Sequence, residues 1–185
     1  MNHLKKFMLT IVATTFLLSF KMIESKLFEF NYPKRDNTTI VLKANNFDKF
    51  KKEWRGEDYY YFGMSQDSII CSVLYYKLNK DEQKVMVEPF GEASPLIPFV
   101  YFLENSQLAK YETNRATWGE GEDDFMFRQA DIKDFNGIKL KQKHMYAYGM
   151  FDKDIFINVH LSKTNYTAFD SIAMREILTS LIKKK

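Results

Sequence analysis

The sequence predicts an α+β fold in which helices pack on an antiparallel β-sheet. Three observations indicate this class: aromatic and β-branched runs separated by short polar turns, an amphipathic segment near the end, and no linker inside the chain. Strands joined by tight turns are antiparallel neighbours, and the apolar stripe of a helix needs a second layer to cover it. We therefore expect one domain, residues 26–185, built as an α/β/α sandwich.

The first 25 residues have the order of a secretory signal peptide. Lys5 and Lys6 precede an apolar run over residues 7–20, and a short polar segment ending at Ser25 follows. As a helix this run is roughly 21 Å long, shorter than the ~30 Å hydrocarbon core of a bilayer. We expect cleavage before Lys26, export to the periplasm or the cell exterior, and no stable membrane insertion afterwards. Retention as a membrane anchor is the alternative.

Charge and cysteine content narrow the function classes. The chain has 27 basic and 24 acidic residues, and the predicted signal removes more basic than acidic ones, so the mature domain is nearly neutral. Nucleic-acid binding normally needs a concentrated basic face, so we expect no nucleic-acid partner. With a single cysteine, Cys71, no internal disulfide can form, and the fold depends on core packing alone.

The first predicted elements are a strand pair and a short helix. Residues 26–32 and 38–43 are strand-like on either side of the turn sequence PKRDN. Asn46 can cap a helix, because apolar side chains follow at helical spacing. This predicted core-facing stripe is Phe47, Phe50 and Trp54.

A hairpin follows over residues 58–78. If Met64 pairs with Ile69, Cys71 shares the core face with its apolar neighbours and is inert; a reactive cysteine is the alternative. Tyrosine clusters on both strands leave some rings on the outer face, where they suit protein or glycan contact unless a helix covers them. The candidate binding residues are Tyr59, Tyr61, Tyr75 and Tyr76.

The second half begins with a segment of no clear period, residues 80–93, which we expect to be irregular. Ser94 and Pro95 then open a predicted helix. Residues 115–118 and 125–133 are strand-like, and Asn136 with Gly137 predicts a type I′ turn into a long strand. Thr167 and Asp170 form a capping-box pattern for the last helix, whose predicted core stripe is Phe169, Ile172, Ala173, Ile177, Leu178 and Leu181.

Two of the three histidines, His144 and His160, flank the last hairpin. Its turn lacks the glycine that most three-residue loops use, which favours an even-numbered loop and pairs Met150 with Ile155. That register places the two histidines on opposite sheet faces, so that neither is catalytic. An odd-numbered loop is the alternative and brings both histidines to one face, where they supply half of a tetrahedral zinc site.

A cluster of carboxylates in the sequence GEGEDD is a candidate cation site, since calcium prefers several oxygen ligands. Its residues are Glu120, Glu122, Asp123 and Asp124. The cluster lacks EF-hand spacing, and a solvated acidic turn is the alternative. Dinucleotide, nucleotide-phosphate, zinc-protease and nucleophile-elbow motifs are absent from the sequence, so we assign no catalytic residue and expect no cofactor.

The closing pattern of a strand, IFINVHLS, a polar break, KTNYT, and a helix, AFDSIAMREILTSL, resembles the PsbP-like fold of photosystem oxygen-evolving-enhancer and Ran-binding Mog proteins. The resemblance covers mainly residues 136–183 and transfers no site residue. It implies an α/β/α sandwich with a binding or assembly role.

From these observations we expect a non-catalytic exported domain that binds a protein partner or assists assembly in the cell envelope or outside the cell. A small cation-dependent enzyme or hydrolase, using the acidic loop or a histidine, is one alternative. An immunity or inhibitor protein is another. A flat aromatic face favours the binding functions, whereas carboxylates and a histidine around a deep pocket favour the enzyme.

Overall fold

The computed structural model describes residues 25–86, 100, 108–120 and 125–184. The predicted signal segment and the helix predicted to open at Ser94 therefore lie outside the described residues. In chain order the described elements are β1 Leu27–Phe30, β2 Ile40–Lys43, β3 Lys51–Arg55, β4 Asp58–Met64, β5 Ile70–Lys77, α1 Lys80–Met86, a 3-10 helix Ala109–Tyr111, β6 Glu112–Glu120, β7 Met126–Phe135, β8 Ile138–Phe151, β9 Ile155–Thr164, α2 Ala168–Thr179 and β10 Ile182–Lys183.

The strands form two antiparallel sheets. The larger has seven strands in the order β3-β4-β5-β9-β8-β7-β6, and the smaller has three in the order β1-β2-β10. Strand β10 pairs with β2, so the end of the described chain closes the smaller sheet beside its beginning. Helix α2 contacts β2, β8 and β9, and therefore packs beside the smaller sheet on one face of the larger one.

The predicted α+β sandwich is wrong, because the fold is mainly β, with two short helices among the described elements. The segment predicted as a helix after Asn46 instead contains strand β3, which pairs with β4. Of the predicted stripe, only Trp54 lies in β3, where its ring stacks on Tyr59 of the next strand. The layer facing the seven-stranded sheet is thus largely a second sheet rather than helices.

The main core lies between the two sheets. One buried cluster joins both sheets and also includes apolar residues of α2. Its members include Phe30, Ile40 and Leu42 of the smaller sheet and Val73 and Leu161 of the larger one. Because strand side chains alternate, each of these strands presents every second residue to this layer. Burial of this apolar surface is the principal favourable term in folding.

The β4–β5 register differs from the prediction by one residue. Met64 pairs with Ile70 rather than Ile69, and Gly63 therefore lies opposite Cys71. A one-residue slip exchanges the two faces of a strand. Cys71 is nevertheless buried and free in the core, as predicted, because Tyr61 and Tyr59 rather than Tyr60 share its face.

We expect Cys71 to react slowly with a thiol reagent in the folded protein. Its side chain is fully buried, and burial raises the pKa of the thiol, so both access and thiolate formation are suppressed. Following the labelling rate with and without denaturant tests this expectation. Labelling of the native protein as fast as that of the unfolded chain would contradict it.

Local signals around the helices and the tight turn are reproduced. Asn136 and Gly137 both have positive φ, 53° and 82°, as the type I′ turn requires. Thr167 and Asp170 form the predicted capping box of α2. Helix α1 was missed, although its capping box is visible as Asn79 and Glu82 at the spacing N-x-x-E, where each backbone N–H donates to the other's side chain.

Candidate functional site

The predicted tyrosine site does not form an outer aromatic face. Tyr59, Tyr61 and Tyr75 are buried in the layer between the sheets, and Tyr76 is half-buried on the opposite face. The hydroxyl of Tyr75 donates to the backbone oxygen of Phe30 at 2.7 Å, so this ring ties the two sheets together. The slip in the β4–β5 register turns Tyr59 and Tyr61 inward, whereas Tyr75 shares the core face of Cys71 in either register.

The predicted cation site falls almost entirely outside the described residues. Residues 121–124 are not described, and of Glu120 only the backbone is, at the end of β6 opposite Met126. Cation binding by this segment therefore stays a prediction. Within residues 25–86, 108–120 and 125–184, no three His, Cys, Asp or Glu side chains are grouped as metal ligands.

The prediction that the two histidines lie on opposite faces is wrong. Phe151 pairs with Ile155, so the loop has three residues, and both histidines lie on the face of the sheet directed away from the smaller sheet. Asp152 adopts φ 49° in this loop, a left-handed conformation that Asp tolerates better than most residues. His144 is diagonal to His160, since their directly opposed partners are Ser162 and Tyr146.

The histidines contact each other. Nδ1 of His144 lies 2.8 Å from Nε2 of His160, and the rings are nearly parallel with centroids 5.1 Å apart. Tyr146 stacks on His160 with centroids 4.4 Å apart. The row continues along the same face through Tyr148 and Phe156, whose rings are also stacked. Both imidazoles are therefore held in fixed orientations by stacking and by one hydrogen bond.

A buried ion pair lies beside this row. Arg128 of β7 and Glu112 of β6 form a two-bond pair, with Nη1 and Oε1 3.1 Å apart and Nη2 donating to Oε2. Their side chains are only 3% and 1% exposed. The Tyr146 hydroxyl donates to the same carboxylate at 3.4 Å, and the Arg128 guanidinium lies 5.5 Å from the Tyr146 ring centroid. Tyr146 thus connects the ion pair to the histidines.

A second buried pair joins β7 to β8. Lys143 Nζ is 2.7 Å from Asp131 Oδ1, and Asn114 donates to the other carboxylate oxygen at 2.8 Å. Burial opposes ionisation of Asp131, but these bonds and the charge of Lys143 outweigh it and lower the pKa of the carboxyl. The charges are therefore mutually compensated.

Burial keeps both histidines neutral at physiological pH. It lowers the pKa of His144 to about 4, where attraction by Glu112 and repulsion by Arg128 act in opposite directions. It lowers the pKa of His160 to about 3, and the neighbouring His144 adds to this effect. Within the described residues, Nε2 of His144 has no hydrogen-bond partner. The two rings can share one proton between their facing nitrogens. Neither ring lines the cleft that the structure contains beside α2.

This cleft lies between the smaller sheet, the β4–β5 turn and α2, and has a volume of about 450 Å³. Phe47, Ile69 and Ile177 supply apolar lining, and Lys43 and Glu176 are its ionisable residues. Lys43 N–H donates to the Ser180 hydroxyl at 3.0 Å, which holds the end of α2 against β2. A cleft that is apolar at its centre and polar at its margin resembles the core-and-rim pattern of protein interfaces.

Helix α2 exposes apolar side chains next to this cleft. Phe169 is 84% exposed and Ile172 is 55% exposed, contrary to the predicted core stripe, whereas Met174, Leu178 and Leu181 are buried. Residues four apart on a helix are neighbours, so Phe169 lies beside Ala173 and Ile172 beside Glu176, both of which line the cleft. The exposed pair and the cleft therefore form one continuous surface, which we call the α2 surface.

Sequence reasoning missed most of these residues. Glu112 and Arg128 come from different strands and have no common motif, so only the pairing of β6 with β7 brings them together. The α2 surface was hidden because Phe169 and Ile172 fit the same helical period as the buried residues. A wide apolar stripe of this kind was the available signal that α2 has more apolar surface than one core contact needs.

No family model and no curated protein matches the chain. A crystal structure from Bacteroides thetaiotaomicron, determined at 1.50 Å resolution, is similar with a TM-score of 0.47 and 10% sequence identity. The match covers 88% of this chain and 49% of that one, so this chain spans about half the length of its neighbour. The resemblance to PsbP-like proteins stays a prediction.

Proposed function

We propose that the protein is an exported, non-catalytic domain that binds a protein partner through the α2 surface. The observation that carries this proposal is the exposure of Phe169 and Ile172 on a helix whose other side is packed in the core. Leaving a large apolar side chain in water is unfavourable by roughly 1.5–3 kcal/mol compared with burying it. A partner that covers both side chains recovers this energy. The signal-like order of residues 1–25 supports export.

The chemistry of the α2 surface suits a protein segment with apolar side chains. The cleft can accept one such side chain against Phe47 and Ile177, while Phe169 and Ile172 cover the flanking part of the partner. Lys43 and Glu176 offer one charge of each sign at the margin, which suits the mixed polar rim of a protein partner. Within the described chain, no helix combines the length and hydropathy needed to cross a membrane.

We expect a photo-crosslinking residue at position 169, introduced in the native host, to give a specific adduct with one other protein. The same adduct should form from position 179 at the cleft, because both positions lie on the α2 surface. Mass spectrometry of the adducts identifies the partner, and adding Ile172→Asp should abolish both. A docked partner should meet both conditions, the same adduct from two positions and its loss with Ile172→Asp, whereas chance collisions should meet neither.

Position 138 is the matched control. Ile138 is 66% exposed and apolar, but it begins β8 at the turn between β7 and β8 and does not line the cleft. Adducts that form equally from position 138, or that survive Ile172→Asp, would overturn the proposal. Adducts between two copies of this chain would also overturn it, because they would show that self-association covers the α2 surface.

A further inference from the structure

Strand β3 forms one edge of the seven-stranded sheet and has an unusual composition. It pairs with β4 on one side and is the terminal strand of the sheet within the described chain. Its sequence, KKEWR, gives exposed side chains at Lys51, Lys52, Glu53 and Trp54. Lysines on an edge strand discourage pairing with a further strand, but they do not account for an exposed tryptophan.

Trp54 stacks on a tyrosine of the neighbouring strand. It lies directly opposite Tyr59, and the two rings stack with centroids 6.0 Å apart and planes inclined by only 9°. Tyr59 is buried, whereas Trp54 is 64% exposed. Because Tyr59 is itself packed edge-on against Tyr32, the orientation of the indole is fixed from below. The result is a rigid, flat, exposed aromatic platform.

Two cations border the platform. The Lys34 ammonium lies 5.1 Å from the Trp54 ring centroid, and the Lys52 ammonium lies 5.1 Å from that of Tyr59. Among the ion pairs of the described residues, neither lysine has a carboxylate partner. Lys51 and Glu53 are also exposed, but alternation places both on the opposite face of β3, away from the ring. The surroundings of the ring therefore favour a negatively charged ligand.

We propose that this surface, formed by Lys34, Lys52 and Trp54, binds an acidic oligosaccharide. The apolar C–H face of a sugar ring can stack on the indole and remove its exposed surface from water. A uronate or sulfate group on that sugar or the next one then lies within reach of the two ammonium groups. Lys34 is exposed, so its long side chain can move aside and keep its charge beside the ligand.

The geometry favours a sugar over two other acidic partners. Attachment to an anionic membrane usually buries several apolar side chains, whereas this surface offers one exposed ring stacked on Tyr59. An acidic peptide would be attracted by the lysines, but it does not need a planar platform. This site is separate from the α2 surface, so its test does not depend on the proposed protein partner.

The proposal is tested by titrating the folded mature domain with an oligogalacturonate while following heat and tryptophan fluorescence. We expect saturable binding, no binding of the uncharged oligogalactan, and weakening as salt is raised. Trp54→Ala should weaken binding about tenfold, Trp54→Phe less, and Lys34→Gln with Lys52→Gln at least as much as Trp54→Ala. Thermal unfolding of each variant verifies that it is folded.

Lys141→Gln is the matched control, because Lys141 also lies over an aromatic ring, that of Tyr166, at 4.8 Å. Its affinity for oligogalacturonate should equal that of the unchanged domain. Equal binding of the acidic and uncharged sugars, or unchanged affinity in Trp54→Ala, would overturn the proposal. Tighter binding of polyglutamate or of phosphatidylglycerol vesicles than of the oligosaccharide would overturn it in favour of a peptide or membrane surface.

Discussion

Replacing Arg128 with methionine is expected to lower the free energy of unfolding by about 3–5 kcal/mol. The substitution leaves the Glu112 carboxylate buried without its two-bond partner. Arg115 approaches the same carboxylate at 3.5 Å but is half exposed, so its compensation is partial. Because domains of this size are stable by only about 5–15 kcal/mol, the loss is a large share of the total. Urea unfolding of both proteins measures it.

A double variant identifies the source of the loss. Glu112→Leu combined with Arg128→Met removes both charges, and its stability should exceed that of Arg128→Met alone, because no unpaired charge remains buried. Lys139→Met is the control, since Lys139 forms an exposed ion pair with Asp134 and its loss should cost no more than about 1 kcal/mol. The single variant Glu112→Leu completes the comparison. If the double variant loses as much free energy of unfolding as Glu112→Leu and Arg128→Met lose together, the explanation by an unpaired charge is wrong.

Features that depend on a few adjacent residues could be predicted from the sequence. The turn at Asn136 and Gly137 and the start of α2 at Thr167 are specified by short-range hydrogen bonds and backbone preferences. The β1–β2 and β7–β8 hairpins follow from the same kind of signal. The burial of Cys71 was also correct, because a free cysteine among apolar neighbours is buried whichever face of β5 is turned inward.

Features that depend on register could not be predicted. A single residue in the β4–β5 turn decides whether Tyr59 and Tyr61 face solvent or the core, and no local pattern distinguishes the two registers. In the last hairpin, the missing glycine was misleading because Asp152 adopts the left-handed conformation itself. The helix predicted after Asn46 failed because tertiary pairing with β4 overrides a helical spacing of three aromatic residues.

The histidine pair illustrates how register determines chemistry. With an even-numbered loop, His144 and His160 would be independent residues on two faces. The three-residue loop instead brings their nitrogens to 2.8 Å and buries His144 beside the compensated Arg128–Glu112 pair. We infer that His144 donates from Nδ1 to Nε2 of His160, because the other tautomer leaves an N–H of His144 buried without an acceptor, which is the costlier arrangement.

This pair is expected to make the fold sensitive to acid at a pH above the range in which carboxylates titrate. Unfolded histidine has a pKa near 6.5, whereas burial lowers the pKa of His144 to about 4 and that of His160 to about 3 in the folded protein. Between these values the unfolded state binds more protons than the folded state. Stability is therefore fully present above about pH 6.5 and falls as the pH decreases towards about 4.

Guanidinium unfolding at a series of pH values should show a loss of about 2–4 kcal/mol between about pH 7 and about pH 5. Charged groups facing the rings modify this loss: Glu112 and Asp131 favour protonation of His144, and Arg128 opposes it. The pKa of Asp131 is itself lowered, so its contribution to stability is lost only at more acidic pH.

The double variant His144→Gln with His160→Gln provides the control for this prediction. Its amides can still hydrogen-bond across the two strands but do not titrate, so its stability should change little between about pH 7 and about pH 5. A variant with the same slope as the unchanged protein would show that other groups cause the acid sensitivity. A flat profile in the unchanged protein would show that the folded state accommodates the charged pair, and that the two rings bind protons as readily as they do in water.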